Sequence, residues 1–216
     1  MDSQSVNVII LPDEATKEKA VNLGKILAEN FEADYTIADS RFIPHITIYQ
    51  AQYPTKNYPL IKENISNIVK ELKPFKVRVD FFGAHTTYIG WNIVKDKNLQ
   101  QLHKKNLEIL NPLREGLLLP HLSPDFSGYT SGEKFSDSRY SDAVRKYGAV
   151  STGKMFWPHI TIGKLKQAVE EENALKILPK TDSEFTVSEL FIGKLGNYGT
   201  VTEILERFSF GAPGAI

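Results

Sequence analysis

The chain has 216 residues, its 26 basic and 26 acidic side chains cancel, and it contains no cysteine. That length suits a single domain, or one built of two similar lobes, and is enough to bury a sizeable core. Without cysteine, the chain cannot form disulfides, thiolate nucleophiles or cysteine-ligated zinc. Its neutral balance argues against a long nucleic-acid footprint but leaves room for a few cations around one phosphate.

The first half of the chain predicts strands alternating with helices. An apolar run at 6–11 predicts a buried strand, and Asp13 can cap the helix that follows. A polar connection over 33–40 leads into a strand at about 41–50, which a Tyr53-Pro54 turn closes. The later elements predicted in this half are a helix ending near Pro74, strands at about 75–81 and 86–94, and a helix at about 97–110.

The segment 119–154 has a weaker pattern than the rest of the chain. It is rich in Ser, Gly, Asp and Tyr, and only 141–147 suggests a short helix. Connections of this length are usually functional lids or mobile excursions. Beyond it, the sequence predicts a strand, a helix at about 166–178, a strand at 184–193, a turn at 196–199 and a last strand to about 210.

The pentapeptide Pro-His-Ile-Thr-Ile occurs twice, at 44–48 and 158–162. Each copy reads as a short strand, and alternate side chains of a strand point to opposite faces. The isoleucines therefore share a core face, while the histidine and threonine share the other. A single histidine in a strand is usually structural, but two in the same repeated motif point to function.

A second pair of segments extends the repeat. The sequence at 75–83 aligns without a gap with 185–193, matching Phe, Val, Phe and Gly at four positions. We interpret this as an internal duplication of about 41–94 and 155–210 within one bilobal domain. Two copies predict a pseudo-symmetric fold rather than a solenoid, which needs three or more repeats.

The repeated residues suit acid–base chemistry at phosphorus. Displacement in a phosphodiester needs one proton removed from the attacking oxygen and another given to the leaving oxygen, and His45 and His159 can perform these two tasks near neutral pH. The hydroxyls of Thr47 and Thr161 can donate hydrogen bonds to non-bridging phosphate oxygens. The sequence does not decide which histidine is the base.

Four residues beside the motifs are candidate substrate-binding groups. Arg41 and Lys154 precede the histidines and could add positive charge, although each could equally be a solvated surface charge. Tyr49 and Trp157 fall on the histidine face by strand parity, so either could stack on a base. Packing in the core or at the rim is the alternative for both aromatic residues.

Paired His-x-Thr motifs, one in each half, resemble the 2H phosphoesterase superfamily, which includes LigT-like 2′-5′ RNA ligases and cyclic nucleotide phosphodiesterases. The resemblance implies an α+β fold with two pseudo-symmetric lobes, each an antiparallel sheet with flanking helices, around a central cleft. It also implies that His45 and His159 face each other across that cleft, with Thr47 and Thr161 as their hydroxyl partners. The segment 119–154 departs from the family pattern and is a candidate lid.

The resemblance implies a metal-independent phosphodiesterase that hydrolyses a 2′,3′-cyclic phosphate, a 2′-5′ linkage or a related nucleotide. A binding module for nucleotides or RNA ends without turnover and a 2′-5′ RNA ligase are the alternatives. A metal-dependent hydrolase is disfavoured because no His-x-His or His-Glu-x-x-His spacing occurs.

We expect a monomer acting on a small nucleotide or RNA terminus. No apolar run of spanning length and no signal-peptide pattern is present, so we expect it in the cytoplasm, with no membrane partner.

Overall fold

A computed structural model describes residues 2–94, 96–122 and 138–211 of the chain. The strands lie at Ser3–Ile10 (β1), Ala33–Thr36 (β2), Ile46–Pro54 (β3), Phe75–His85 (β4), Tyr88–Ile93 (β5), His159–Leu165 (β6), Ser183–Val187 (β7), Glu189–Leu195 (β8) and Val201–Ser209 (β9). The α-helices lie at Glu14–Asn30 (α1), Tyr58–Lys70 (α2), Lys97–Leu110 (α3), Ser138–Tyr147 (α4) and Glu171–Ile177 (α5).

The strands form one antiparallel sheet in the order β7-β4-β5-β6-β3-β1-β8-β9, and β2 pairs with β6 beside β3. Helices pack on the apolar face of this sheet and enclose the core. The α1 helix is typical: Asp13 caps it by accepting a hydrogen bond from the backbone N–H of Thr16, and its buried face includes Leu23 and Leu27. The predicted α+β class with antiparallel sheets is confirmed. None of the helices described is long and apolar enough to cross a membrane.

Each lobe of the sheet contains strands from both halves of the chain. The lobe that holds β6 also contains β4 and β5, whereas the lobe that holds β3 also contains β1, β8 and β9. The lobes join directly through a single residue pair, Ile46 of β3 with Ile160 of β6. Both isoleucines are fully buried in the core. The histidines and threonines of the two motifs lie on the opposite face of the sheet at this joint.

The structure corrects three sequence-based boundaries. The connection at 33–40 contains the short strand β2. This strand has only four residues, about half of them polar, so its sequence pattern was too short to predict it. The strand after the first motif continues to Pro54, because it pairs along its length with β1, so Tyr53 and Pro54 do not form the predicted turn. The single strand predicted at 184–193 is two strands, since β7 pairs with β4 and β8 pairs with β1 and β9.

The candidate lid lies partly outside the described residues, at 123–137. The α4 helix, which follows that gap, is held at its C-terminal end by the buried side chain of Arg114. Its guanidinium donates to the backbone carbonyls of Arg145 and Lys146 at 3.1 and 3.0 Å. A cation at the last carbonyls of a helix satisfies acceptors that have no partner within the helix. The end of α4 is thus fixed to the body of the protein.

Candidate active site

The two motifs lie side by side on one face of the sheet. Because β3 and β6 are antiparallel and Ile46 pairs with Ile160, His45 lies across from Thr161 and Thr47 lies across from His159. The alternation of a strand turns these four side chains away from the buried isoleucines. All four are half-buried rather than sealed in the core. The structure therefore brings the histidine and the threonine of each motif together as four neighbouring side chains on one face of the sheet.

Both histidine rings are held by the same local hydrogen bond. The Nδ1 atom of His45 lies 2.7 Å from the carbonyl oxygen of Ile43, and Nδ1 of His159 lies 2.9 Å from the carbonyl oxygen of Trp157. A carbonyl can only accept, so each Nδ1 carries the hydrogen. The neutral ring then has its lone pair at Nε2, which is the atom that can take or give a proton during a reaction.

The surroundings favour the neutral form of both rings. The pKa of His45 is lowered to about 4, mainly by burial and to a smaller extent by the nearby His159, against the carbonyl of Ile43 and the backbone of Gly199, which favour the charged ring. Burial also lowers the pKa of His159, with a smaller contribution from His85. The effect of His159 on His45 shows that the two rings are close enough to interact. Both imidazoles are neutral at pH 7 in the ligand-free site.

Each threonine hydroxyl interacts with a polar side chain of a neighbouring strand. The amide of Asn7, on β1, donates to Oγ1 of Thr47 at 3.2 Å. The hydroxyl of Tyr35, on β2, interacts with that of Thr161, and burial raises the pKa of this tyrosine well above its ordinary value. Because Oγ1 of Thr47 accepts the bond from Asn7, its own hydrogen stays available for another acceptor. Neighbouring strands thus orient both hydroxyls.

Aromatic residues surround the His45 end of the site. Tyr35 packs edge-on against Phe42 and stacks on Tyr198 with ring centroids 5.9 Å apart. The ammonium of Lys164 lies 5.1 Å from the ring centre of Tyr198 and pairs with Asp34. Tyr35 and Phe42 also line a cavity of only about 10 Å³, together with His45 and Thr161. At this end there is room for about one water molecule.

A much larger pocket of about 370 Å³ is lined by Trp157 and His85. The ring centroid of Trp157 lies 5.3 Å from that of His159 and 6.5 Å from that of His85, so this pocket adjoins the His159 end of the site. The other lining residues are Ser151, Lys154, Met155 and Phe156. The pocket can hold a flat, partly apolar group next to Trp157.

Asn92 lies beneath Trp157 on the neighbouring strand β5. It pairs in register with His159, is fully buried, and neither its amide nitrogen nor its amide oxygen has a hydrogen-bond partner. Two glycines leave the space that its amide fills. A methyl group on Gly83 would come within 2.7 Å of Nδ2 of Asn92, and one on Gly90 within 3.3 Å of its Oδ1.

The stretch leading to the second motif is tied to the first by a buried histidine. His103, on α3, has Nδ1 2.7 Å from the carbonyl oxygen of Ile48, and its Nε2 accepts from the backbone N–H of Gly153 at 2.8 Å. Its ring stacks on Phe156 at 3.9 Å. Only the neutral ring can donate at one nitrogen and accept at the other. Burial lowers the pKa of His103, which favours this form and supports the packing role.

The four residues proposed from sequence to bind substrate occupy different environments. Trp157 and Lys154 line the large pocket, as a binding role requires. Arg41 is exposed and paired with Asp39 through bonds of 2.5 to 3.0 Å. Tyr49 is buried, and its hydroxyl donates to the carbonyl of Tyr147 at 2.8 Å. This placement favours packing for Tyr49, and the binding roles of all four stay predictions.

Sequence reasoning missed Asn7, Asn92 and Tyr35. A signal was present for the asparagines, because each is the one amide within an otherwise apolar strand segment that is buried on both sides. A polar residue in such a segment needs a partner, which makes it informative. Tyr35 gave no signal because β2 was not recognised. Among the side chains that the structure describes, no three His, Asp or Glu groups gather as ligands for a metal ion.

Solved structures of the same fold cover nearly the whole chain. The protein TT0787 of Thermus thermophilus matches with a TM-score of 0.62 and 14% identity, over 97% of this chain and 100% of that one. LigT of E. coli in complex with 3′-AMP matches with a TM-score of 0.55 and 17% identity, and its phosphate complex with 0.54 and 14%, each over 98% of this chain and 100% of that one.

A structure described as a phosphoesterase gives a TM-score of 0.55 at 15% identity, over 98% of this chain and 100% of that one. No model of a protein family matches the sequence, and no curated protein does. At these identities the likeness concerns the fold. The chain has the LigT-like fold of 2H phosphoesterases, and the resemblance predicted from the paired motifs is confirmed at that level.

Proposed function

We propose that the protein is a metal-independent phosphodiesterase that hydrolyses a 2′,3′-cyclic phosphate, a 2′-5′ linkage or a related phosphodiester of a nucleotide or RNA end. The observation that carries this proposal is the matched geometry of His45 and His159. Both rings have Nδ1 on a backbone carbonyl two residues earlier, so both have Nε2 available on the same face of the sheet. Two such imidazoles supply the base and the acid of one displacement.

In the proposed reaction, water attacks phosphorus while the neutral ring takes its proton. The bond from phosphorus to the ribose oxygen breaks on the opposite side, and the protonated ring gives its proton to that oxygen. A new P–O bond replaces the old one, and one proton enters the site as another leaves it. The hydroxyls of Thr47 and Thr161 donate to the non-bridging oxygens, whose charge grows in the transition state.

The lowered histidine pKa values fit this cycle. When both rings are neutral, His45 and His159 contribute no charge to the site without substrate. A bound phosphodiester brings a negative charge close to both rings, and a nearby opposite charge raises the pKa of a histidine. Substrate binding therefore promotes protonation of one ring, while repulsion between the rings keeps the other neutral. The substrate itself helps to create the acid–base pair.

The size of the site supports a small ligand. The pocket beside His159 has a volume of about 370 Å³, within the range of small-molecule sites. LigT of E. coli, which shares the fold, has been crystallised with phosphate and with 3′-AMP. We propose a mononucleotide or RNA terminus as substrate and a monomeric enzyme.

Hydrolysis of 2′,3′-cyclic mononucleotides in the presence of a chelator is the direct test. The expected result is turnover that excess chelator leaves unchanged and that His45→Ala abolishes. Tight binding of the nucleotide without turnover would instead identify a binding module. Joining of RNA ends through a 2′-5′ bond, with no hydrolysis of cyclic phosphates, would identify a ligase. Loss of activity with chelator would overturn the metal-independent mechanism.

A further inference from the structure

A polar row crosses the sheet at the His159 end of the site. Its members lie on neighbouring strands in the order Asn7 on β1, Thr47 on β3, His159 on β6 and Asn92 on β5. Asn7 contacts Thr47, and Asn92 is in register with His159. The next residue in register, on β4, is Phe81, whose side chain is 53% exposed. The row thus leads from the proposed phosphate position towards open surface.

Asn92 is the anomalous member of this row. Burying an amide without hydrogen bonds costs free energy, and a native protein rarely leaves both polar atoms of one side chain unmatched. The amide lies in space kept open by two glycines: a Cβ on Gly83 would meet both Asn92 and Trp157, and one on Gly90 would meet both Asn92 and His159. Each feature places an unused donor and acceptor directly beside the reacting groups.

We propose that Asn92 is a substrate-binding residue that recognises the ribose next to the scissile phosphate, and that Trp157 covers it until substrate binds. This inference rests on the proposed function. Neighbouring strands are about 4.8 Å apart, which is also of the order of the distance from a phosphate to the ribose that it esterifies. A phosphate held over β3 and β6 therefore places its ribose over β5, where Asn92 lies, and its base over the pocket beside Trp157.

The chemistry of an amide matches that of a ribose hydroxyl. Nδ2 of Asn92 donates and Oδ1 accepts, and a hydroxyl group can do both. A 2′-deoxyribose lacks one such partner, and a buried polar site discriminates strongly against a ligand that leaves its groups unpaired. Asn92 thus gives the enzyme a means to prefer ribonucleotides, independently of any contact with the base.

The fluorescence of Trp157 can be used to measure binding. The chain has two tryptophans, and the other, Trp91, is fully buried in the core. A change in tryptophan fluorescence during titration therefore reports movement or stacking of Trp157. The probes are adenosine 3′-monophosphate, its 2′-deoxy counterpart and inorganic phosphate, applied to the wild-type protein and to Asn92→Leu, which has a similar volume and no polar side-chain atoms.

We expect the wild-type protein to bind the ribonucleotide more tightly than the deoxynucleotide. Asn92→Leu should weaken binding of the ribonucleotide about tenfold and lose most of this preference, with the affinity for inorganic phosphate unchanged. Without ligand, the variant should unfold at the same temperature as the wild type or higher, because it no longer buries an unpaired amide. If Asn92→Leu does not fold, Asn92→Ala takes its place in the same titrations.

Asn106 offers a matched control. It is also a fully buried asparagine with an unpaired Oδ1, but it lies on α3 and donates to the carbonyl of Leu102. Asn106→Leu should leave all three dissociation constants unchanged. Full retention of the ribose preference in the Asn92 variants would overturn the inference alone. Failure of the wild-type protein to bind any of the three probes would overturn it together with the proposed function.

Discussion

The two ends of the site carry the same pentapeptide in different surroundings. At the His45 end, Tyr35 and Phe42 line a cavity of about 10 Å³. At the His159 end, Trp157 borders a pocket of about 370 Å³, and an unpaired amide lies beneath it. The two motif strands thus present the same pair of side chains, while their neighbours in the sheet differ at the two ends. For the proposed function, we expect a substrate with one bulky side to bind with that side towards the pocket at Trp157.

The largest expected effect tests the symmetric part of this comparison. His45→Ala and His159→Ala should each reduce kcat on a 2′,3′-cyclic mononucleotide by about 10²- to 10⁴-fold, because each removes one proton-transfer group. The double variant should be little worse than either single variant, since groups that act as a unit are not additive. Unfolding temperatures should confirm that all three variants fold. A single variant with full activity would show that the rings do not act as a pair.

The stability of the protein in acid tests the burial of the two histidines. The pKa of His45 is about 4 in the folded protein, below the ordinary value of about 6.5, so the unfolded chain binds the proton more readily. This contribution to stability is complete above about pH 6.5 and is lost as the pH falls towards 4. The loss is on the order of 2–3 kcal/mol.

Chemical denaturation of the wild-type protein and of His45→Gln and His159→Gln at pH 7 and pH 4.5 measures this effect. Burial lowers the pKa of both histidines. Each Gln variant should therefore lose less stability in acid than the wild-type protein does, because a glutamine side chain does not bind the proton. An unchanged loss of stability in both variants would show that neither ring contributes to the acid sensitivity.

Variants of the two threonines test whether Tyr35 contributes to activity by orienting Thr161. Thr47→Val and Thr161→Val should each cost about 1–3 kcal/mol of transition-state stabilisation in kcat/KM, because each removes a donor to the phosphate. Tyr35→Phe should cost about 1 kcal/mol in the wild-type background and almost nothing in the Thr161→Val background. If the two losses simply add, Tyr35 does not work by orienting Thr161.

The smallest effect concerns the two cations predicted from the sequence. Arg41 is exposed and already paired with Asp39, so Arg41→Ala should change KM for a mononucleotide less than twofold. Lys154 lines the large pocket, and Lys154→Ala should raise KM by a few-fold with kcat unchanged. Measurements at low and high salt should show a salt-dependent KM only where Lys154 is present. The opposite ranking of the two variants would place the phosphate nearer to Arg41.

The alternation of the sequence was enough to predict the motif strands and the face that carries their histidines and threonines. It was not enough to predict how the strands are arranged. Pairing of β3 with β6, and the exchange of strands between the halves of the chain, depend on contacts between residues about 114 positions apart, which no local pattern records. The same limit hid Asn92, because its importance comes from lying beside His159, and Tyr35, because it lies on a strand of only four residues.

The joint between the lobes has a mechanical consequence. At Ile46 and Ile160 the two lobes share one residue pair, whereas β4 and β7 share five. The seam between β3 and β6 runs between His45 and His159, and β2, which pairs with β6 at three positions, continues it on one side. Any change in the angle between β3 and β6 would therefore change the distance between the two imidazoles directly.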